Sequence, residues 1–286
     1  MQNQQPIPRP RNLLTSVFNR IPLWLVLLVG LAIVVCIQVL GSPDSRDILT
    51  VLSRGLVLTL KISVTSYVLA LAIGFIAGLG RVSSNPVIQA IATLYVEVMR
   101  GIPILVVLLY TAFVIAPGLS KAIDTLAPAA EDPQGLTALM AGVIDGLKGV
   151  LRSNFWRATI ALAISYGAYL AEIYRSGIEA IASGQREAAR ALGLSQFQTT
   201  TLIVMPQAFR IILPPLGNDF IALIKDSSLA SVIGLAELTQ QTRFYVSRSF
   251  DTFGGWSIAA LLYLSITLVL SLGVRLLERY SKVKER

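Results

Sequence analysis

The chain has 286 residues, 54% of them hydrophobic and 14% charged, against roughly 25% charged in soluble domains, which excludes an ordinary soluble protein and indicates a polytopic membrane protein. It contains no histidine, and its one cysteine, Cys36, sits in an apolar run; Cys/His zinc sites, intrachain disulfides and Ser-His or Cys-His catalytic units are therefore excluded, and no catalytic, metal or cofactor-binding residue is expected. No GxxxxGK[ST] phosphate loop occurs either, so any ATP-driven step has to come from a partner.

In chain order, residues 1–20 form a polar tail with Arg9, Arg11 and Arg20. The uncharged run Ile21–Leu40 follows. Its length of about 20 residues suits a membrane span better than the core of a secretory signal, about 7–15 residues, so it is read as a retained, extra N-terminal helix. Five further spans are expected at Leu56–Gly80, Ile88–Val114, Trp156–Tyr174, Ile211–Ile233 and Trp256–Leu277. The fold class is all-α, a polytopic transmembrane bundle of about six spans. Of the long connections, Ala116–Phe155 carries TLAPAAEDPQG and a mildly helical Leu136–Leu151, and Ala236–Gly255 is polar and aromatic.

Lys and Arg near the span ends favour both termini inside. That topology gathers Arg9, Arg11, Arg20, Arg81, Arg175, Arg186, Arg190, Arg210 and the C-terminal cations on the cytoplasmic side, together with the polar stretch Gly184–Arg210. Trp156, Trp256 and Tyr280 suit an aromatic belt.

Ionisable residues inside spans are costly, about 2.5–3.5 kcal/mol each on insertion scales, and are read as functional unless a simpler role suffices. For Lys61 snorkelling suffices. Glu97 and Arg100 lie three apart on one helical face and are read either as a local pair or interfacial anchor, or as part of a substrate path. The helix carrying them would be about 40 Å long if straight, against a hydrocarbon core of about 30 Å, so it is tilted or broken near Gly101 and Pro103. Glu172 and Arg175 repeat the spacing as an interfacial pair. The span from Ile211 is interrupted near its start by Pro214-Pro215 and carries Asn218, Asp219, Lys225, Asp226, Ser227 and Ser228, a load that has to face protein or water. A pathway or gate for a zwitterionic solute, and polar glue between helices, are the two readings.

Within Gly184–Arg210, Gly184–Leu192 reads as a short helix with Glu187 in its first turn and Gly193 as its left-handed cap. Ser195 and Gln198 form a capping box for a second short helix that Pro206 ends. A DNA-binding helix-turn-helix has similar size and a glycine turn, but the flanking spans tether this unit to a bilayer, and no nucleic-acid partner is expected.

Glu187-Ala188-Ala189, Gly193 and the Val204-Met205-Pro206 exit resemble the cytoplasmic loop of bacterial ABC importer permeases. GQREAARALGLS, MPQAFR, LPPLGNDFIALIKDSSLASVIG from Leu213, AEIYRSGI from Ala171, YVEVMRGIPIL from Tyr95 and TLKIS from Thr59 are similar to the polar amino acid branch, of the histidine, glutamine and glutamate type. The resemblance implies a five-span permease core within residues 51–280, preceded by the extra helix 21–40, in a bacterial cytoplasmic membrane. It implies that the loop 184–206, through Gly184, Glu187, Ala188, Ala189, Gly193 and Pro206, couples to a cytoplasmic ABC ATPase that binds the ATP and Mg. It further implies a second permease chain, identical or a sister, an extracytoplasmic solute-binding protein, and a polar amino acid moved by alternating access. The alternative is a stand-alone secondary transporter or channel, which would carry ion-coupling acids and need no ATP.

Overall fold

The described residues of the structure, a computed structural model, are 45–126 and 136–281, with the isolated positions Gly30 and Ile37. The expected N-terminal tail and the span Ile21–Leu40 lie outside this description. Every element among the described residues is helical. Helix α1 (Ser45–Arg81) starts eleven residues before the expected Leu56, because the preceding stretch has no proline and its one glycine, Gly55, lies where α1 packs closely on Leu238 and Gln241.

Asn85 caps α2 (Pro86–Gly101), its side-chain oxygen accepting from the Val87 and Ile88 amides, and Pro86 occupies the first turn, where its missing N–H is no loss. The expected break follows: Ile102 is extended, as the residue before a proline prefers, and Pro103 opens α3 (Ile104–Tyr110). A π-helical turn, Thr111–Ile115, joins α3 to α4 (Ala116–Leu126), so the helix outlasts the expected end at Val114. Helix α5 (Leu136–Arg152) packs back on α4, with Lys148 paired to Asp124 at 2.7 Å.

Helix α6 (Asn154–Glu179) is the central element, buried along most of its length. After it come α7 (Ser183–Ala191), α8 (Gln196–Gln198), a π-helical turn (Thr199–Val204), α9 (Met205–Asp226), a 3₁₀ segment (Ser227–Ile233), α10 (Leu238–Ser249) and α11 (Thr252–Ser281). Pro206 does not end the second loop helix. It falls in the first turn of α9 just after the π turn, where the hydrogen-bond register is already changing, so helix runs without a gap from Gln196 to Asp226. Pro214 and Pro215 likewise lie inside α9 and do not interrupt it. The expected span to Ile233 instead changes form at Asp226, and Gly234, at φ 80°, turns the chain.

The most extensive packing is α1 against α6. Glycines make it possible: a Cβ at Gly74 would sit 2.7 Å from Leu170 Cβ, and one at Gly78 2.7 Å from Tyr174 Cβ. Small residues spaced four apart let two backbones approach, and in lipid such close van der Waals contact replaces the hydrophobic drive of soluble cores. Around this seam, Leu170, Ala208, Ile212 and Leu223 are fully or almost fully buried and tie α9 to α6.

Three stretches, Ile48–Arg81, Ile104–Thr125 and Thr252–Glu278, are long and apolar enough to cross a membrane, with mean hydropathies of 2.1, 1.9 and 2.2. The chain is a membrane-embedded helical bundle; α6 is covered by protein along most of its length, whereas α9 buries one face and leaves the other open.

Candidate docking loop and polar path

Helix α7 stands at one end of the bundle and is held by its C-terminus. The Leu194 amide donates to the Ala189 carbonyl at 3.1 Å and the Gly193 amide to the Arg190 carbonyl at 2.9 Å. These are the two bonds of a Schellman cap, and they require the left-handed Gly193, at φ 81°. The capping box at α8 is present in both directions: the Gln198 amide donates to the Ser195 hydroxyl at 3.2 Å, and the Ser195 amide to the Gln198 side chain at 2.9 Å. Helix α7 begins at Ser183, one residue earlier than expected, which carries Glu187 just past the first turn.

The helical period sorts the loop residues into two faces. Gly184, Glu187, Ala188 and Ala191 are exposed on one side, while Ala189 is 3% exposed and packs on the bundle with Arg186 half-buried beside it. Of the two adjacent alanines, only Ala188 is open to a partner. The outward face is flat and small, and Leu192, 83% exposed, stands at its end.

At the same end of the bundle lies an ionic network. Glu172 accepts from Arg81 at 2.5 Å, pairs with Arg175 on its own helix and lies 4.0 Å from Arg100; Arg81 also reaches Glu97 at 3.5 Å, and Arg175 pairs with Glu179. Of the alternatives for Glu97 and Arg100, the local pair is not the arrangement seen: Glu97 pairs with Arg81 and Arg100 with Glu172, both across helices. Both residues turn towards the Arg81–Glu172 pair, which joins α1 and α2 to α6. Arg100 in addition stacks over the Tyr169 ring at 5.9 Å.

The polar residues of α9 divide by environment. Asn218 and Lys225 are exposed, and Asp219, Asp226 and Ser228 are half-buried. Ser227 is fully buried with its hydroxyl donated to the Ile224 carbonyl at 2.8 Å, which makes it part of the packing. Asp226 accepts from the Tyr166 hydroxyl at 2.8 Å, and Tyr67 donates to the Leu216 carbonyl at 2.5 Å while its ring lies 4.9 Å from Phe220. Tyr166 and Tyr169 are neighbours, their rings 5.9 Å apart. A run of aromatic and charged groups therefore links Arg100 on α2, through Tyr169 and Tyr166 on α6, to Asp226 on α9. It presents a cation at one end and an anion at the other.

Sequence reasoning missed three participants. Arg81 counted only as an end-of-span cation. Tyr166, on a span otherwise rich in alanine, carried a signal that went unread. Glu237, fully buried, is the third: its carboxylate accepts from the Thr239 amide at 3.0 Å, the Gln240 amide at 2.9 Å, the Tyr263 hydroxyl at 3.0 Å and the Thr59 hydroxyl at 3.3 Å. This N-cap of α10 locks α1, α10 and α11 together, and burial pushes its carboxyl above the ordinary carboxylate range against the downward pull of the two amides.

Comparison with known proteins bears directly on this arrangement. Residues 70–282 match the family model of the binding-protein-dependent transport system inner membrane component. The chain is 38% identical over 232 residues to the glutamine transport system permease protein GlnP of Escherichia coli (strain K12), covering 81% of this chain and 93% of that protein. It is 34% identical over 223 residues to the arginine transport system permease protein ArgU of Corynebacterium glutamicum, covering 78% of this chain and 65% of that protein. Among solved structures, a chain from "an amino acid ABC transporter with histidines" superposes with a TM-score of 0.67 at 33% identity, over 83% of this chain and 97% of that one.

Proposed function

The chain belongs to the binding-protein-dependent transport system inner membrane component family, and from that premise we propose that it is the membrane-spanning permease subunit of an ATP-driven importer of polar amino acids. The observation that carries the reading is the outward face of α7: Gly184, Glu187, Ala188 and Ala191 form a small-residue surface on a rigidly capped helix, with no gap in helix from Gln196 to the charged end of α9. Small side chains permit close seating of a groove-bearing partner, and Glu187 supplies a directional charge.

On this reading a cytoplasmic ATPase subunit seats on α7 and carries the ATP and Mg, this chain performs no catalysis, and both termini are cytoplasmic. A second permease chain completes the pathway and a solute-binding protein delivers the solute from outside. ATP-driven closure displaces α7, and the motion crosses the Gly193 turn and reaches α9 through the continuous helix that starts at Gln196. The amino acid would pass along Arg100, Tyr169, Tyr166 and Asp226, with Arg100 and Lys225 attracting its carboxylate and Asp219 and Asp226 its ammonium. Residues 21–40 add a span to the five-span core in residues 51–280.

The test is affinity purification of the tagged chain from detergent-solubilised membranes, beside Gly193→Asp, with co-purifying proteins identified by mass spectrometry. An ATPase subunit with the native chain, depleted from the variant, is expected. A native chain that comes down alone, under conditions that preserve other such complexes, would overturn the docking role of α7.

A further inference from the structure

The inward side of α7 bounds a second site. Between α7, the π turn after α8 and the adjoining ends of α1 and α6 lies a cavity of about 130 Å³. Its apolar walls include Leu79 and Ile178, and its polar lining is Arg186, Arg190, Gln196, Thr199 and Thr200, with no carboxylate among the described residues. Arg186 spends one nitrogen on the Ile178 carbonyl at 2.6 Å, and Thr200 donates its hydroxyl to the Gln196 carbonyl at 2.9 Å.

Thr199 differs from its neighbours. The residue is 4% exposed, and its hydroxyl has no hydrogen-bond partner among the described residues, although Thr200 and Thr201 both bond back to carbonyls one turn earlier. A buried polar group without a partner is unfavourable, and Thr199 is among the residues that line a space shared with two guanidinium groups. Donors without acceptor charge, in forked planar geometry, are the chemistry that holds an oxyanion.

The cavity does not stand alone. A groove of about 600 Å³ shares Leu79, Gln196 and Thr200 with it and continues along Phe75, Phe197 and Met205. Phe197 is 77% exposed. A basic pocket that opens onto an apolar groove, at the end of membrane-spanning helices, fits a molecule with an anionic head and a hydrocarbon tail. We propose that this site binds one anionic phospholipid, its phosphate held by Arg186, Arg190 and the Thr199 hydroxyl and its acyl chain laid along Phe75, Phe197 and Met205. The lipid braces α7 against α1 and α6 from the side opposite the proposed docking face, so lipid and docked subunit do not compete. The site stands whether or not an ATPase seats on α7.

The experiment uses the full chain in nanodiscs of phosphatidylcholine with phosphatidylglycerol, with lipids retained on release counted by native mass spectrometry. Wild type is expected to keep one phosphatidylglycerol in preference to phosphatidylcholine. Arg190→Gln is expected to weaken that retention about tenfold, on the order of one lost charge-assisted hydrogen bond, and Thr199→Val, which changes no charge, to weaken it several-fold. Arg275→Gln, an equal charge loss on α11, should leave it unchanged. Retention equal in all four proteins would overturn the site. Inorganic phosphate that stabilises wild type but not Arg190→Gln in pure phosphatidylcholine, together with no phosphatidylglycerol retention in the mixed nanodiscs, would overturn the lipid assignment.

Discussion

Gly193 sets the rigidity of the C-terminal cap of α7, and replacing it isolates that contribution. A Cβ at Gly193 would meet nothing within 4 Å, so Gly193→Ala creates no clash, and its effect is confined to the backbone at φ 81°. Placing a non-glycine residue in the left-handed region costs about 1–2 kcal/mol. Because α7 has only nine residues, too few to persist without its tertiary contacts and caps, that cost falls on local opening. An opening equilibrium shifted by 1–2 kcal/mol rises roughly 5- to 30-fold. Hydrogen exchange on the full chain should therefore show the amides of Leu192, Gly193 and Leu194, which close the cap, exchanging faster by that factor in Gly193→Ala, while those of α6 stay at wild-type rates. Gly193→Asn, tolerated in the left-handed region, should fall within about threefold of wild type. Equal exchange in the Ala and Asn variants would refute the argument, since the effect would then not come from the backbone conformation.

Other outcomes follow from the packing and the buried polar groups. Gly74→Val should sharply reduce the yield of folded protein after detergent extraction, because even a Cβ there would lie 2.9 Å from the Gly167 carbonyl oxygen; overpacking of this kind costs about 1–3 kcal/mol, and a normal melting temperature would contradict the close α1–α6 seam. Tyr166→Phe removes the bond to Asp226 and is expected to raise the uptake KM about three- to tenfold with little change in expression; an unchanged KM in reconstituted vesicles would count against the polar path. Glu237 gives a pH dependence: its folded value is raised, so its contribution to stability is full below the ordinary carboxylate value and fades as pH rises through the raised one. Thermal melts of wild type against Glu237→Gln should therefore show wild type gaining stability relative to the variant as pH falls from neutral towards about 4.5, and a flat difference across that window would contradict it.

The helices themselves were legible because apolar runs of membrane length have few alternative readings, and Gly193 and Ser195–Gln198 were legible because caps are local chemistry. The break at Gly101–Pro103 followed from length against bilayer thickness. Less legible were the prolines. Pro206, Pro214 and Pro215 read as breakers, yet each is absorbed, the first by a neighbouring π turn and the other two within α9, whose packing on α6 and α11 supports it. The two adjacent alanines of α7 looked equivalent, and only the orientation of α7 on the bundle separates exposed Ala188 from buried Ala189. Long-range partners were out of reach: Glu237 meets Thr59 across 178 positions of chain, and Arg81 reaches Glu172 across 91, distances over which no periodicity carries information.

The unbroken run of helix from Gln196 to Asp226 has a mechanical consequence. At 1.5 Å per residue it is a strut of about 45 Å, whose compliance is concentrated at two joints: the π turn at Thr199–Val204, and Pro214–Pro215, where two amide donors are missing. A helix kinks where its hydrogen-bond ladder is altered, so a tilt imposed beside Gln196 bends the strut first at these two joints, and the segment from Leu216 to Asp226 keeps its own direction within the bundle.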